Sequence, residues 1–146
     1  MALDWQKAFD KVDKTILLSK IANLGINVAW LKSYLLDRDQ VVKIKDDFSE
    51  HKKTLLGVPQ GRILGSLLFS IFINDLSNVI KHSSLILFAD NNYLLISGFV
   101  HEKAEVQHNL QNDLHSISNW MNNNSMKLHA KKPDLLLVGT KSMLTK

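Results

Sequence analysis

Between residues 101 and 121, Val106, Leu110, Leu114, Ile117 and Met121 recur every three or four positions, so one face of a long helix is apolar and the other polar. Elsewhere the period changes. Residues 40–56 alternate apolar and polar side chains, and residues 85–97 hold two short β-prone runs. A chain that moves between the helical and the strand period in this way, without repeats, linkers or low-complexity tracts, is expected to fold as one α+β domain over residues 1–146. Its balance of 45% hydrophobic and 22% charged residues suits a single core.

Along the chain, Ile16, Leu17, Ile21 and Leu24 predict a first helix stopped at Gly25. A second, over residues 28–37, presents Trp30, Leu31, Tyr34 and Leu35 as one stripe. The alternation in QVVKIKDDFSEHKKTLL predicts a hairpin turning at Asp46 and Asp47. GVPQGRILG reads as a constrained loop feeding a mostly buried helix, LLFSIFINDLSNVI. SLILFAD and NYLLIS predict a second hairpin turning at Asn91 and Asn92, because Asn tolerates the positive φ of tight turns. DLLLVG, residues 134–139, has the composition of a buried strand, and the terminal KSMLTK is expected to fray.

The sequence contains no cysteine, which excludes disulfides and thiolate metal sites and leaves carboxylates and six histidines as strong metal ligands. His101, His108 and His115 fall seven residues apart on one helix face, the spacing of a solvated stripe rather than of a metal site. Eighteen Lys and Arg against fourteen Asp and Glu give a net charge of +4, which favours a polyanionic partner. The first residues carry charges and no continuous apolar stretch, unlike a secretory signal or anchor. No segment reaches the roughly 18 apolar residues of a membrane span. The expected setting is intracellular, in nucleus or cytoplasm, neither secreted nor in a membrane.

Taken singly, the residues that could carry chemistry have ordinary structural readings: Asp4 as a helix cap, Asp90 as a turn residue, Phe9 as a core aromatic and Lys132 as one of a solvated pair. Their order and company change that reading. The blocks LDWQKAFDKVDKTILLSKI, GVPQGRILGSLLFSIFINDL, LILFADNN and MKLHAKKPDLLLVGT resemble the reverse transcriptases of non-LTR retrotransposons, LINE and jockey-like. They correspond to motifs A through D of that family over nearly the whole chain. In the family the first block reads roughly L-D-x-x-K-A-F-D-x-V-D-H, the second G-V-P-Q-G-S-x-L-G-P-L-L-F and the third F-A-D-D.

The resemblance implies a polymerase palm: an RRM/ferredoxin-like antiparallel sheet backed by helices, with partial fingers insertions and no thumb. That sheet would combine the Asp4 segment, the hairpin over residues 85–97 and the strand over residues 135–139. The implied reaction is RNA-directed DNA polymerisation by two-metal nucleotidyl transfer, with an RNA template, a DNA primer and deoxynucleoside triphosphates as partners. Asp4 and Asp90 would meet in space to hold two Mg²⁺ or Mn²⁺ ions roughly 4 Å apart, hard cations that require clustered carboxylate oxygens. Phe9 would be the aromatic gate under the nucleotide sugar. Gln60 and Gly61 would help hold the incoming nucleotide, and Lys132 would lie near the pyrophosphate.

Four positions depart from the family pattern. Asn91 stands where the second aspartate of F-A-D-D is expected, replacing a carboxylate by a neutral amide oxygen. Arg62 and Ser66 replace the Ser and Pro of the second block, and Pro133 replaces the Thr of the fourth. With fingers incomplete and thumb absent, the expectation is a pseudoenzyme, a fragment of polymerase ancestry that has lost independent turnover. The alternative is a noncatalytic RNA- or protein-binding module retained from a retroelement.

Overall fold

A computed structural model describes residues 1–61, 63–88, 91–128 and 135–139. In chain order the elements are β1 (Ala2–Asp4), α1 (Lys14–Asn23), α2 (Ala29–Leu35), β2 (Asp39–Gln40), β3 (Lys43–Ile44), β4 (Asp47–Phe48), β5 (Lys52–Lys53), α3 (Ile63–Ile73), β6 (Ser84–Phe88), β7 (Asn91–Leu95) and α4 (Lys103–Asn123). Turns of 3-10 helix occur at Phe9–Lys11, Asn74–Val79 and Val100–Glu102. Helices and antiparallel ladders together make the α+β class that the alternating periods predict. The chain comprises two compact units, Met1–Ala8 with Asn74–Lys146, and Phe9–Ile73.

The first unit holds a three-stranded antiparallel sheet of order β1-β7-β6. Side chains alternate along β7, with Asn92 and Leu94 buried and Asn91, Tyr93 and Leu95 exposed. Phe88 pairs with Asn91, so Asn91 and Asn92 are ladder residues and do not form the turn expected there. Core burial decides this register: a slip of one residue would turn Leu94 to solvent and Tyr93 inward. Residues 89 and 90, between the strands, lie outside the described residues.

Helix α4 follows the predicted stripe, with Ile117 and Met121 buried and Val106, Leu110 and Leu114 half-buried. Trp120 joins that face, and its indole Nε1 donates to Asp75 Oδ1 at 3.2 Å. The run over residues 135–139 is not a strand. Its apolar side chains, Leu135 to Val138, are 59–88% exposed and in no described ladder. Local composition supplied that expectation, whereas a strand exists only where a partner takes its backbone hydrogen bonds. Asp134 and the terminal KSMLTK lie outside the described residues.

In the second unit, Asp13 caps α1: its Oδ1 accepts from Thr15 N–H at 2.8 Å and Ile16 N–H at 3.1 Å. Gly25, at φ 76, follows the helix end as expected. Leu17, Leu18 and Ile21 form the buried face, while Leu24 is exposed. In α2, Leu31 and Leu35 are buried and Tyr34 half-buried, but Trp30 is exposed because seven residues present only a narrow inward face.

The first hairpin turns one residue earlier than predicted. Ile44 pairs with Asp47, leaving Lys45 and Asp46 as the loop, with Lys45 at φ 55. A second short ladder joins β2 to β5 below it. Helix α3 starts at Ile63, within the stretch expected to be loop. Gly65 permits this, because a Cβ there would sit 2.1 Å from the Pro59 carbonyl oxygen. Phe69 and Phe72 of α3 are fully buried, each stabilising the fold by roughly 1.5–3 kcal/mol through lost apolar surface.

Candidate functional site

Asp4 ends β1 and lies directly opposite Asn91 in the antiparallel ladder, next to the pair Leu3 and Asn92. Opposed residues share a sheet face with Cβ atoms about 5 Å apart. The half-buried Asp4 and exposed Asn91 therefore occupy one face, while Leu3 and Asn92 are buried on the other. The same row continues into Phe88 of β6, 74% exposed. Beyond Asp4 the chain is held by the Gln6 N–H, which donates to the Lys127 carbonyl at 3.0 Å, and by an edge-on contact of Trp5 with Trp120 at 5.9 Å. Lys7 then takes φ 52, unusual for a residue with a side chain.

Asp90, the other expected metal carboxylate, lies outside the described residues, as do Lys132, Arg62 and Pro133. No group of three or more His, Cys, Asp or Glu that could hold a metal occurs among the described residues. On the face they share, Asp4 supplies a carboxylate and Asn91 a neutral amide oxygen. His101, His108 and His115 are all exposed, matching a solvated stripe.

Phe9, Gln60 and Gly61 are brought together around a cavity of about 140 Å³, lined also by Pro59, Gly65 and Ser66. Phe9 opens the 3-10 turn Phe9–Lys11, and its ring packs on Phe69 at 4.6 Å between centroids. The glycines account for the loop's path. Gly57 at φ 90 lies so close to Asp10 that a Cβ would meet its carbonyl oxygen at 3.0 Å, and Gly61 takes φ 75. Gln60 Nε2 donates to Asp10 Oδ1 at 2.6 Å.

Three polar residues escaped the sequence reading. Asp10 sits beside Phe9 in the first block, and only the fold brings it to Gln60. Lys14, 4% exposed, donates through Nζ to the Thr54 carbonyl and to Thr54 Oγ1. Burial, and then the charge of Arg38, holds the Lys14 amine below its ordinary pKa. Its position on the inward face of α1, beside Leu17 and Leu18, was the available signal.

Asp113, 1% exposed on α4, accepts backbone N–H bonds from Lys81 at 3.0 Å, His82 at 3.1 Å and Ser83 at 2.7 Å. Burial raises its pKa, but these bonds outweigh that and leave it below the ordinary carboxyl value. Asp113 interrupts the apolar stripe one residue before Leu114, which was the sequence signal for a buried acid.

The family model described as reverse transcriptase (RNA-dependent DNA polymerase) matches residues 1–143. Over 76 residues the chain is 42% identical to the "Probable RNA-directed DNA polymerase from transposon BS" of Drosophila melanogaster, a match covering 51% of this chain and 8% of that protein. Over 141 residues it is 30% identical to the "RNA-directed DNA polymerase from mobile element jockey" of the same organism, covering 89% of this chain and 15% of the relative. No helix among the described residues is long and apolar enough to cross a membrane. With that match over almost its whole length and its motifs in the order of non-LTR retrotransposon polymerases, the chain belongs to the reverse transcriptase (RNA-dependent DNA polymerase) family.

Proposed function

We propose that the chain is the palm of a retrotransposon reverse transcriptase in which nucleotide recognition outlasts catalysis. The observation that carries this reading is Asn91, directly across the ladder from Asp4. In this reading Asp4 and Asp90 are the carboxylates that would hold Mg²⁺ or Mn²⁺, and Asn91 occupies the position of a third. Bound divalent ions would activate a primer hydroxyl and stabilise departing pyrophosphate. Phe9 would face the sugar of a deoxynucleoside triphosphate, with Gln60 and Gly61 lining the same cavity, and motif order alone assigns Lys132 to the pyrophosphate. RNA template and DNA primer are the proposed macromolecular partners. Replacing a carboxylate by an amide removes one negative charge from the metal site, so affinity and independent turnover both fall.

Calorimetric titration of Mg²⁺ and Mn²⁺ tests this on the natural chain, Asn91→Asp and Asp90→Ala. Asn91→Asp should bind at least about tenfold more tightly, the effect of one added charge–metal interaction worth ~1.4 kcal/mol or more. Asp90→Ala should abolish binding. Equal affinities in all three folded proteins would refute the metal assignment.

A retained binding module without catalysis is a second reading, favoured by the net charge of +4. It requires RNA binding that is independent of divalent metal.

A further inference from the structure

Asp10 is an exposed carboxylate whose Oδ1 accepts a 2.6 Å hydrogen bond from the Gln60 side chain, fifty residues away in the chain. Because a carboxylate only accepts, the atom facing it is the amide nitrogen, and the orientation of the Gln60 amide is thereby defined. Backbone contacts on both sides set this pair. The Gly57 N–H donates to the Val12 carbonyl at 2.8 Å, the Val58 N–H to the Phe9 carbonyl at 3.0 Å, and Asp13 and Leu56 form a bridge. The φ of 90 at Gly57 and its 3.0 Å clearance from Asp10 allow that approach only without a side chain. An unrestrained glutamine on an exposed loop would lose rotamer freedom on meeting a ligand. The charge-assisted bond to Asp10 removes that freedom beforehand.

We infer that Asp10 is a positioning residue that orients the Gln60 amide at the cavity beside Phe9, rotating its carbonyl oxygen away from Asp10 to accept from an uncharged donor of the ligand. The negative charge of Asp10 beside the Gln60 amide disfavours a phosphate next to that amide. This rests on the reading of the cavity as a nucleotide pocket.

The test is nuclear magnetic resonance of the ¹⁵N-labelled chain, with the Gln60 side-chain amide signal identified by its loss in Gln60→Ala. The signal should be dispersed and ordered in the natural chain, averaged in Asp10→Ala, and restored in Asp10→Asn, whose side-chain oxygen still accepts. Titration with dATP and Mg²⁺ should give about fivefold weaker binding for Asp10→Ala, as expected for losing one hydrogen bond. The double variant Asp10→Ala/Gln60→Ala should bind no more weakly than Gln60→Ala alone. An unchanged Gln60 signal in Asp10→Ala, or losses that add in the double variant, would overturn the role of Asp10 while leaving the pocket intact. An ordered Gln60 signal that saturating dATP leaves unmoved would instead overturn the nucleotide reading, and with it the role assigned to Asp10.

Discussion

Asp113 illustrates how one buried charge can organise a loop. Its carboxylate takes the N–H groups of three consecutive residues, Lys81 to Ser83, that a helix or sheet would otherwise have to satisfy. Asp113→Asn keeps the shape but brings an NH₂ against backbone donors, so it should cost about 3 kcal/mol in urea denaturation at neutral pH. The folded-state pKa lies below the ordinary value of 3.8. The stabilisation is therefore complete above 3.8 and fades as pH falls through the folded-state value, so the gap between natural and variant curves should close in acid. Gly65 gives a second prediction of opposite sign to the usual rule. Gly→Ala in a helix ordinarily stabilises by about 1 kcal/mol. Here the added Cβ would overlap the Pro59 carbonyl oxygen at 2.1 Å. Gly65→Ala should therefore lower the denaturation midpoint, and a raised midpoint would show that α3 can shift away from Pro59.

Among the elements, the two short ladders from β2 to β5 are the least supported. Every residue in these four strands is exposed, and a two-stranded ribbon without a buried face is marginal in water. Amide exchange should be fast at Ser49, whose N–H donates to the Val42 carbonyl at 2.9 Å, and at Val42, whose N–H donates to Ser49 Oγ at 2.9 Å, and slow at Leu17 and Ile21 in α1. Lys45→Gly should slow exchange in the ribbon, because φ 55 strains a residue with a Cβ but not glycine. Unchanged exchange would mean that side-chain packing, such as Lys43 over the Phe48 ring at 5.1 Å, controls the ribbon. The element errors share one cause. Residue preference alone predicts turns at Asp46 with Asp47 and at Asn91 with Asn92. Register follows instead from which side chains the partner strand and core accept.

For the whole molecule, the net charge of +4 predicts weak, sequence-independent attraction to nucleic acid. Fluorescence anisotropy with a single-stranded RNA oligomer should show affinity falling about tenfold or more between 50 and 200 mM salt. The same affinity in Asp4→Ala would mark binding that does not use the carboxylate proposed to hold metal, and salt-insensitive binding would refute an electrostatic origin. The sequence alone determined the α+β class, the positions of α1, α2 and α4, the stripe on α4 and the family, because periodicity and ordered motifs are local properties of the chain. It also singled out Asp4, Asn91, Phe9, Gln60 and Gly61. Tertiary structure decided that Asn91 faces Asp4 across a ladder, that Asp10 reaches Gln60, that Lys14 and Asp113 are buried, and that residues 135–139 are exposed. Those outcomes depend on pairing and burial between segments far apart in the chain, which no local pattern of residues specifies.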